Sequence, residues 1–300
     1  MTQEQTRCGY VALLGRPNVG KSSLLNRLIG QKISITAAKP QTTRHSIMGI
    51  STRDGAQILY IDTPGMHLQG RSALNRYLNR TAGGVLSYVD VIVLVVEALR
   101  WGAEDEDILR RLESAGKPMI VAVNKVDRLK DKRPLLPYLQ QVSGKATFLD
   151  MIPVSARSGE NLQPLEQTLA SALPSAPFAY PDDQVTDVSV RFLAAELIRE
   201  QLTRLLQDEL PYSLTVDIEQ FDDSGNVVRI GAIIWVERTG QKGIVIGQKG
   251  RMLKQVGMQA REAIERMLDR PVHLETWVKV RSGWSDDERA LQSLGYRTPD

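Results

Sequence analysis

The sequence predicts an α/β fold in two parts: a doubly wound, mostly parallel sheet, then a smaller α+β module. Three observations carry this. Short apolar runs alternate with stretches of helical period through the first half, a proline-rich stretch breaks the alternation near residue 180, and the order of elements changes beyond it. In order, YVALLG (10–15), QILYID (57–62), VIVLVV (91–96), MIVAVN (119–124) and MIPVS (151–155) read as strands. They lack polar alternation because strands of a parallel sheet are covered on both faces. Between them, Leu24, Leu25 and Leu28 lead to Gly30, and Ile108, Leu109 and Leu112 lead to Gly116, while Leu162, Leu165 and Leu169 follow Gly159. Helical spacing closed by glycine is a helix with its stop signal. The segment LPSAPFAYPDDQ (173–184) holds three prolines and marks a linker. After it come a helix over 191–206, strands near 213–221 and 227–236, a helical pattern over 252–268 and a strand over 272–280. The expected division is 1–174, a linker over 175–190, and 191–300.

A chain of 300 residues, 42% hydrophobic and 24% charged, has room for two ordinary domains. The single cysteine, Cys8, excludes an intramolecular disulfide and a Cys-rich metal site, and reads as a small, structural hydrophobe. The start, MTQEQTRCGY, has no charged stretch leading into an apolar one, and the longest apolar runs fall short of a membrane span, so a cytoplasmic location is expected. A net charge of +3 is too small to name a partner; the distribution of charge decides.

GRPNVGKS, comprising Gly15, Arg16, Pro17, Asn18, Val19, Gly20, Lys21 and Ser22, fits G-x-x-x-x-G-K-[ST] and sits after a strand and at the opening of a helix, with Ser23 one residue further on. Such a P-loop brings backbone N–H groups onto a β-phosphate, aims its lysine at the β and γ oxygens and offers its serine hydroxyl to Mg²⁺. NKVD ends the fourth strand: the Asp127 carboxylate can accept from N1–H and N2–H₂ of guanine, a pair that adenine lacks. Lys125 can lie along the base and Asn124 can tie this loop to the P-loop. Ser155, Ala156 and Arg157 follow the last strand, where backbone N–H groups can meet the guanine carbonyl. DTPG (Asp62, Thr63, Pro64, Gly65) also ends a strand, placing a carboxylate where it can hold Mg²⁺ through water and a glycine N–H where it can meet a γ-phosphate. In QTTRH (41–45), either Thr42 or Thr43 can complete the magnesium shell, and the loss of the γ-phosphate would free both segments. The expected ligands are thus GTP or GDP with Mg²⁺, the metal taken by Ser22, Asp62 and one of Thr42 and Thr43; Lys21, Gly65 and the two threonines are the expected catalytic set. An ATP-dependent P-loop kinase is the competing reading, and NKVD speaks against it.

These motifs resemble the translation-factor-related GTPases of the TrmE-Era-EngA-YihA-septin-like class. The longer phrases LLGRPNVGKSSLLNRLIGQKISIT, KPQTTRH and WVKVRSGWSDDERALQSLGY extend the resemblance over almost the whole chain. It implies a P-loop G domain followed by a type II KH domain, in a monomeric ribosome-assembly GTPase that binds the 3′ end of 16S rRNA and acts on the 30S subunit, with a peripheral fraction at the inner membrane. One departure stands out: position 66 is Met where Ras-like enzymes carry a water-positioning Gln, leaving His67 as the nearest titratable side chain. Asn18 resembles the asparagine that ligates K⁺ in related GTPases, where the ion supplies an arginine finger's charge.

GQKG occurs twice, at 240–243 and 247–250. From Arg238 to Arg261 there are six basic residues and no acidic one. The second copy, Gly247, Gln248, Lys249 and Gly250, with Arg251 and Lys254 on the helix after it, is the expected grip on a sugar-phosphate chain, because glycines let backbones approach and a helix N-terminus adds positive potential. The first copy reads as the exit loop of the strand before it. Trp235, Trp277, Trp284 and Tyr296 read as core or domain-interface anchors, and the helix over 191–206 as packing across its sheet rather than lying on a membrane.

Overall fold

The computed structural model describes residues 6–37, 39, 42–65, 73–206, 210 and 213–293. Strands β1 (Arg7–Leu14), β2 (Ile47–Arg53), β3 (Ala56–Asp62), β4 (Val91–Glu97), β5 (Met119–Asn124) and β6 (Asp150–Pro153) form a sheet in the order β2-β3-β1-β4-β5-β6. β2 pairs antiparallel with β3; the other pairings are parallel. Helices α1 (Lys21–Ile29), α2 (Ala73–Gly84), α3 (Ala103–Glu113), α4 (Leu135–Ser143) and α5 (Leu162–Ala172) fall between or after the strands. Side chains alternate across a strand, so Val11, Leu13 and Val93 meet Leu24, Leu28 and Leu165 on one face while Ala12, Ile92 and Leu94 meet Ile108, Leu112 and Val142 on the other. This is the doubly wound, mostly parallel sheet expected. It gathers the ends of β1, β3, β5 and β6 along one edge, where such sheets bind ligands.

The proline-rich stretch does not hang free. Gln57 Oε1 accepts from the N–H groups of Ala179 and Tyr180, Ile50 N–H donates to Val185 O, and Thr186 Oγ1 donates to Met48 O. Cys8 is buried beside it.

Beyond it, α6 (Val190–Leu205), β7 (Leu214–Asp222), β8 (Val228–Val236), α7 (Thr239–Ile246), α8 (Arg251–Leu268) and β9 (Val272–Val280) form the second unit, with α9 (Glu288–Ser293) after it. The sheet runs β7-β8-β9, with β7 antiparallel and β9 parallel to β8. Ile198 and Leu202 of α6 and Val256, Ala260 and Ile264 of α8 cover Ile230 and Ile234, so α6 packs across the sheet as expected.

The order corrects the sequence reading in one place. The first GQKG is not an exit loop; it lies in α7. The Gln241 carbonyl accepts from Glu237 N–H and Arg238 N–H at 2.8 and 3.0 Å, capping the helix start, and its amide donates to Ser213 Oγ at 2.8 Å. Two glycines in one helix cost about 1 kcal/mol each, which Val245, fully buried in the core, offsets.

Of the aromatic residues, Trp284 is fully buried. It joins Leu291 against Ala73, Leu74, Tyr77 and Leu78 of α2, and Leu74 N–H donates to Ser285 O. It is the anchor expected between the two units. Trp277 differs: it is 44% exposed. Tyr296 lies outside the described residues.

A candidate nucleotide site and a candidate nucleic-acid groove

Between β1 and α1, residues 15–20 form the P-loop. Gly20 has φ 104, and a Cβ there would stand 2.4 Å from Asn124 Nδ2, so both backbone and space demand glycine. Lys21 is buried and its Nζ donates to Gly15 O at 2.9 Å and Arg16 O at 3.0 Å, bracing the loop. Arg16 is in turn held by both oxygens of Asp105, each at 3.1 Å. Burial lowers the Lys21 pKa to about 8 against the opposing pull of Asp62, with Arg16 lowering it further.

A depressed lysine pKa means the free protein releases the proton as pH rises through about 8, whereas bound phosphates favour the ammonium. Nucleotide affinity should therefore fall between pH 8 and 9, by up to about tenfold, with proton uptake on binding measurable by calorimetry in two buffers. In Lys21→Ala the slope should vanish; an unchanged slope would discard this account.

Ser22, Thr43 and Asp62 meet beside Lys21. Ser22 Oγ donates to Asp62 Oδ2 at 2.6 Å and lies 2.8 Å from Thr43 Oγ1. Ser34 Oγ donates to the same carboxylate oxygen at 2.8 Å. Thr42 faces elsewhere: its hydroxyl donates to Lys39 O at 2.7 Å. Asp62 is fully buried; burial raises its pKa, opposed by bonds from Ser22 and Ser34 and the charge of Lys21, and its Oδ1 has no hydrogen-bond partner. An orphaned buried carboxylate oxygen among hydroxyls fits a hard divalent cation such as Mg²⁺. Among the described residues no three His, Cys, Asp or Glu converge, which leaves this oxygen set as the candidate. The DTPG turn abuts the P-loop: a Cβ on Gly65 would be 3.0 Å from Pro17 Cγ. Thr63 Oγ1 donates to Leu13 O at 3.1 Å.

Asn124 joins three loops. Its amide donates to Val19 O at 2.9 Å, and its carbonyl accepts from Lys125 N–H at 2.8 Å and Ala156 N–H at 3.0 Å. Lys125, at φ 69, donates through Nζ to Asn18 O and to Glu97 Oε2, both at 2.7 Å. Asp127 is exposed and its Oδ1 accepts from Ser155 Oγ at 2.7 Å. Two of the N–H groups expected to face guanine are engaged within the protein, that of Ala156 by Asn124 and that of Ser155 by Glu160 O, while the Arg157 side chain is exposed. A cavity of 760 Å³ opens over Asn18, Lys21, Ser22, Ser23, Thr43 and Lys125, within the range of ligand pockets. Gln41, Met66 and His67 lie outside the described residues.

Sequence reasoning missed Ser34, Glu97, Arg199 and Glu200. Arg199 and Glu200 come from α6 yet reach the 32–45 segment: Arg199 Nη2 donates to Thr42 O, and Glu200 accepts from Lys32 and from Thr36 N–H. No local motif marks such contacts.

In the second unit, Gly247 and Gly250 have φ 72 and 75, with Lys249 between them at φ 50. A Cβ on Gly247 would press 2.6 Å from Met252 Cβ, whereas one on Gly250 meets nothing within 4 Å. Packing thus requires the first glycine, and the second is left open to a ligand. Gln248, Lys249 and Arg251 are exposed, and a 440 Å³ groove beside them is lined by Gly250, Leu253, Lys254, Gly257, Arg261 and Thr276.

A family model described as a 50S ribosome-binding GTPase matches residues 10–125, and one described as a KH domain matches residues 209–285. The chain is 53% identical to GTPase Era of Azotobacter vinelandii over 298 residues, 99% of each chain. To GTPase Era of Pseudomonas aeruginosa it is 52% identical over 291 residues, 97% of this chain and 95% of that one. Two solved structures superpose with a TM-score of 0.93 at 37% identity, covering 97% of this chain and 99% of theirs: a point variant of Aquifex aeolicus Era bound to GDP and AlF4⁻, and Era in complex with MgGDPNP and nucleotides 1506–1542 of 16S ribosomal RNA.

Proposed function

This chain belongs to the Era family of GTPases and hydrolyses GTP to GDP and phosphate; we propose that it does so as a magnesium-dependent switch coupled to an RNA grip in its KH domain. The division at 1–174, 175–190 and 191–300 belongs to the same proposal.

The observation that carries it is the meeting of Ser22, Thr43 and Asp62 beside Lys21. In this reading Lys21 binds the β and γ oxygens, residues 15–20 and Ser23 cradle the phosphates, and the Gly65 N–H meets the γ-phosphate. Ser22 and Thr43 would hold Mg²⁺ directly and Asp62 through water, Thr43 rather than Thr42 because the Thr42 hydroxyl is committed to Lys39 O. Bound there, Mg²⁺ would neutralise charge developing on the phosphates. Asn124, Lys125, Asp127 and the 155–157 loop recognise guanine.

With Met at position 66, that position offers no side-chain amide to orient the attacking water, and slow intrinsic turnover is the expected result. K⁺ at Asn18 would supply the missing charge. Exchanging K⁺ for Na⁺ should then slow hydrolysis in wild type and leave Asn18→Ala indifferent; equal wild-type rates in the two salts would dispose of the ion.

The complex of an Era with nucleotides of 16S rRNA supports the reading that this chain binds the 3′ end of 16S rRNA, through Gly247, Gln248, Lys249, Gly250, Arg251 and Lys254, and acts in maturation of the 30S subunit as a monomer. A cytoplasmic location with a peripheral fraction at the inner membrane follows the family resemblance; among the described residues no helix is long and apolar enough to cross a membrane. The test is RNA binding. Replacing Gln248 and Lys249 by Asp should weaken binding of a 3′-end RNA about tenfold or more through repulsion and a lost phosphate contact. Lys242→Asp, in α7, should weaken it much less. The Asp pair binding as tightly as wild type at moderate salt, or the two variants losing equally, would remove this loop from the interface.

A further inference from the structure

Helix α6 belongs to the second unit, yet it holds the segment that carries Thr43. The Glu200 side chain is fully buried and accepts from Lys32 Nζ, from Thr36 N–H at 2.9 Å, from Thr36 Oγ1 at 3.3 Å and from Arg204 at 2.8 Å. Its neighbour Arg199, also buried, donates to both carboxylate oxygens of Glu196 at 2.7 Å and to Thr42 O. Arg204 donates to Thr36 O at 3.2 and 3.0 Å, and Lys39 Nζ donates to Leu206 O just past the helix end. Residues 32, 36, 39 and 42 are therefore all tied to one helix, and residue 43 is the one that meets Ser22.

Two buried acids and a buried arginine are a poor way to glue two units together. Apolar packing would serve as well, because desolvating ions offsets most of their attraction. Ionic contacts with fixed partners do set register. We propose that Arg199 and Glu200 are positioning residues for GTP hydrolysis: by fixing the backbone at Thr42 and Thr36 they hold Thr43 against Ser22 and Asp62, where the magnesium of the triphosphate complex is bound. The proposal rests on the site assignment above. Neither residue touches the nucleotide in this scheme; each acts through the loop.

The scheme separates triphosphate from diphosphate. Thr43 serves only the γ-phosphate complex, whereas the P-loop and NKVD bind GDP without it. In the full-length protein, Glu200→Gln and the paired exchange Glu196→Gln with Arg199→Gln, which leaves the net charge unchanged, are compared with wild type in three measurements: kcat for GTP, affinity for a non-hydrolysable GTP analogue with Mg²⁺, and affinity for GDP. The expected result is kcat and analogue affinity each lowered about tenfold, with GDP affinity within about twofold of wild type. A purely structural role would instead lower both affinities together along with the melting temperature, and that result, or an unchanged kcat, overturns the proposal. If the paired variant loses GDP binding through misfolding, Glu200→Gln, which preserves shape, decides by the same criteria. A wild-type protein whose hydrolysis ignores Mg²⁺ would overturn the metal site and this proposal with it. Variants matching a Mg²⁺-dependent wild type would overturn only the role of α6.

Discussion

Lys21→Ala is expected to lower kcat for GTP about 10²- to 10³-fold, the loss typical when a preorganised charge leaves the developing phosphate oxygens. Triphosphate affinity should fall more than diphosphate affinity, since the ammonium spans the β and γ oxygens. The nucleotide-free melting temperature should barely move. Burial already penalises the charge, so its removal offsets the two bonds that Gly15 O and Arg16 O lose. Stopped-flow phosphate release and thermal melts check both halves. A variant that hydrolyses GTP normally would refute the P-loop assignment, and one that simply unfolds would show that Lys21 is a loop brace.

Asp127→Asn should change which base is bound. Ser155 Oγ–H donates to Asp127 Oδ1; an asparagine keeps that bond by turning its carbonyl oxygen to Ser155, which leaves the amide N–H₂ facing the base. Against guanine this sets donor on donor, and GTP affinity should fall about a hundredfold or more. Xanthine presents a carbonyl there, so XTP should become the preferred nucleotide. Competition between the two triphosphates reads the switch directly, and a variant that still prefers GTP as wild type does would mean that Asp127 does not read the base.

The elements most legible in the sequence were those with a local cause. The strands over 91–96 and 119–124 are buried on both faces and read as apolar runs, and the P-loop, DTPG and NKVD each end a strand, where the sheet itself delivers them to one edge. Helix α7 was not legible, because its two glycines argue against a helix and its cap, Gln241, acts through contacts with Glu237 and Arg238 that no propensity records. Which of Thr42 and Thr43 meets Ser22 was invisible for a related reason: adjacent identical residues differ only in which way the loop turns them. The contacts of Arg199 and Glu200 reach partners 157 and 164 residues away along the chain; from the sequence they were only two polar positions of the helix over 191–206.

The packing of Trp284 and Leu291 on α2 also bears on how the protein is made. A chain leaves the ribosome N-terminus first, and every nucleotide motif is complete once Arg157 has been added. The cover for Leu74, Tyr77 and Leu78 arrives only with residues 284–291. For the time it takes to synthesise the whole second unit, the helix that follows DTPG stands with its apolar face open, so the G domain can fold and bind nucleotide before that helix is clamped. A premature stop shortly before Trp284 would make that interval permanent, leaving a nucleotide-binding chain with an uncovered apolar face, a mark for chaperones or proteases rather than a partly working protein.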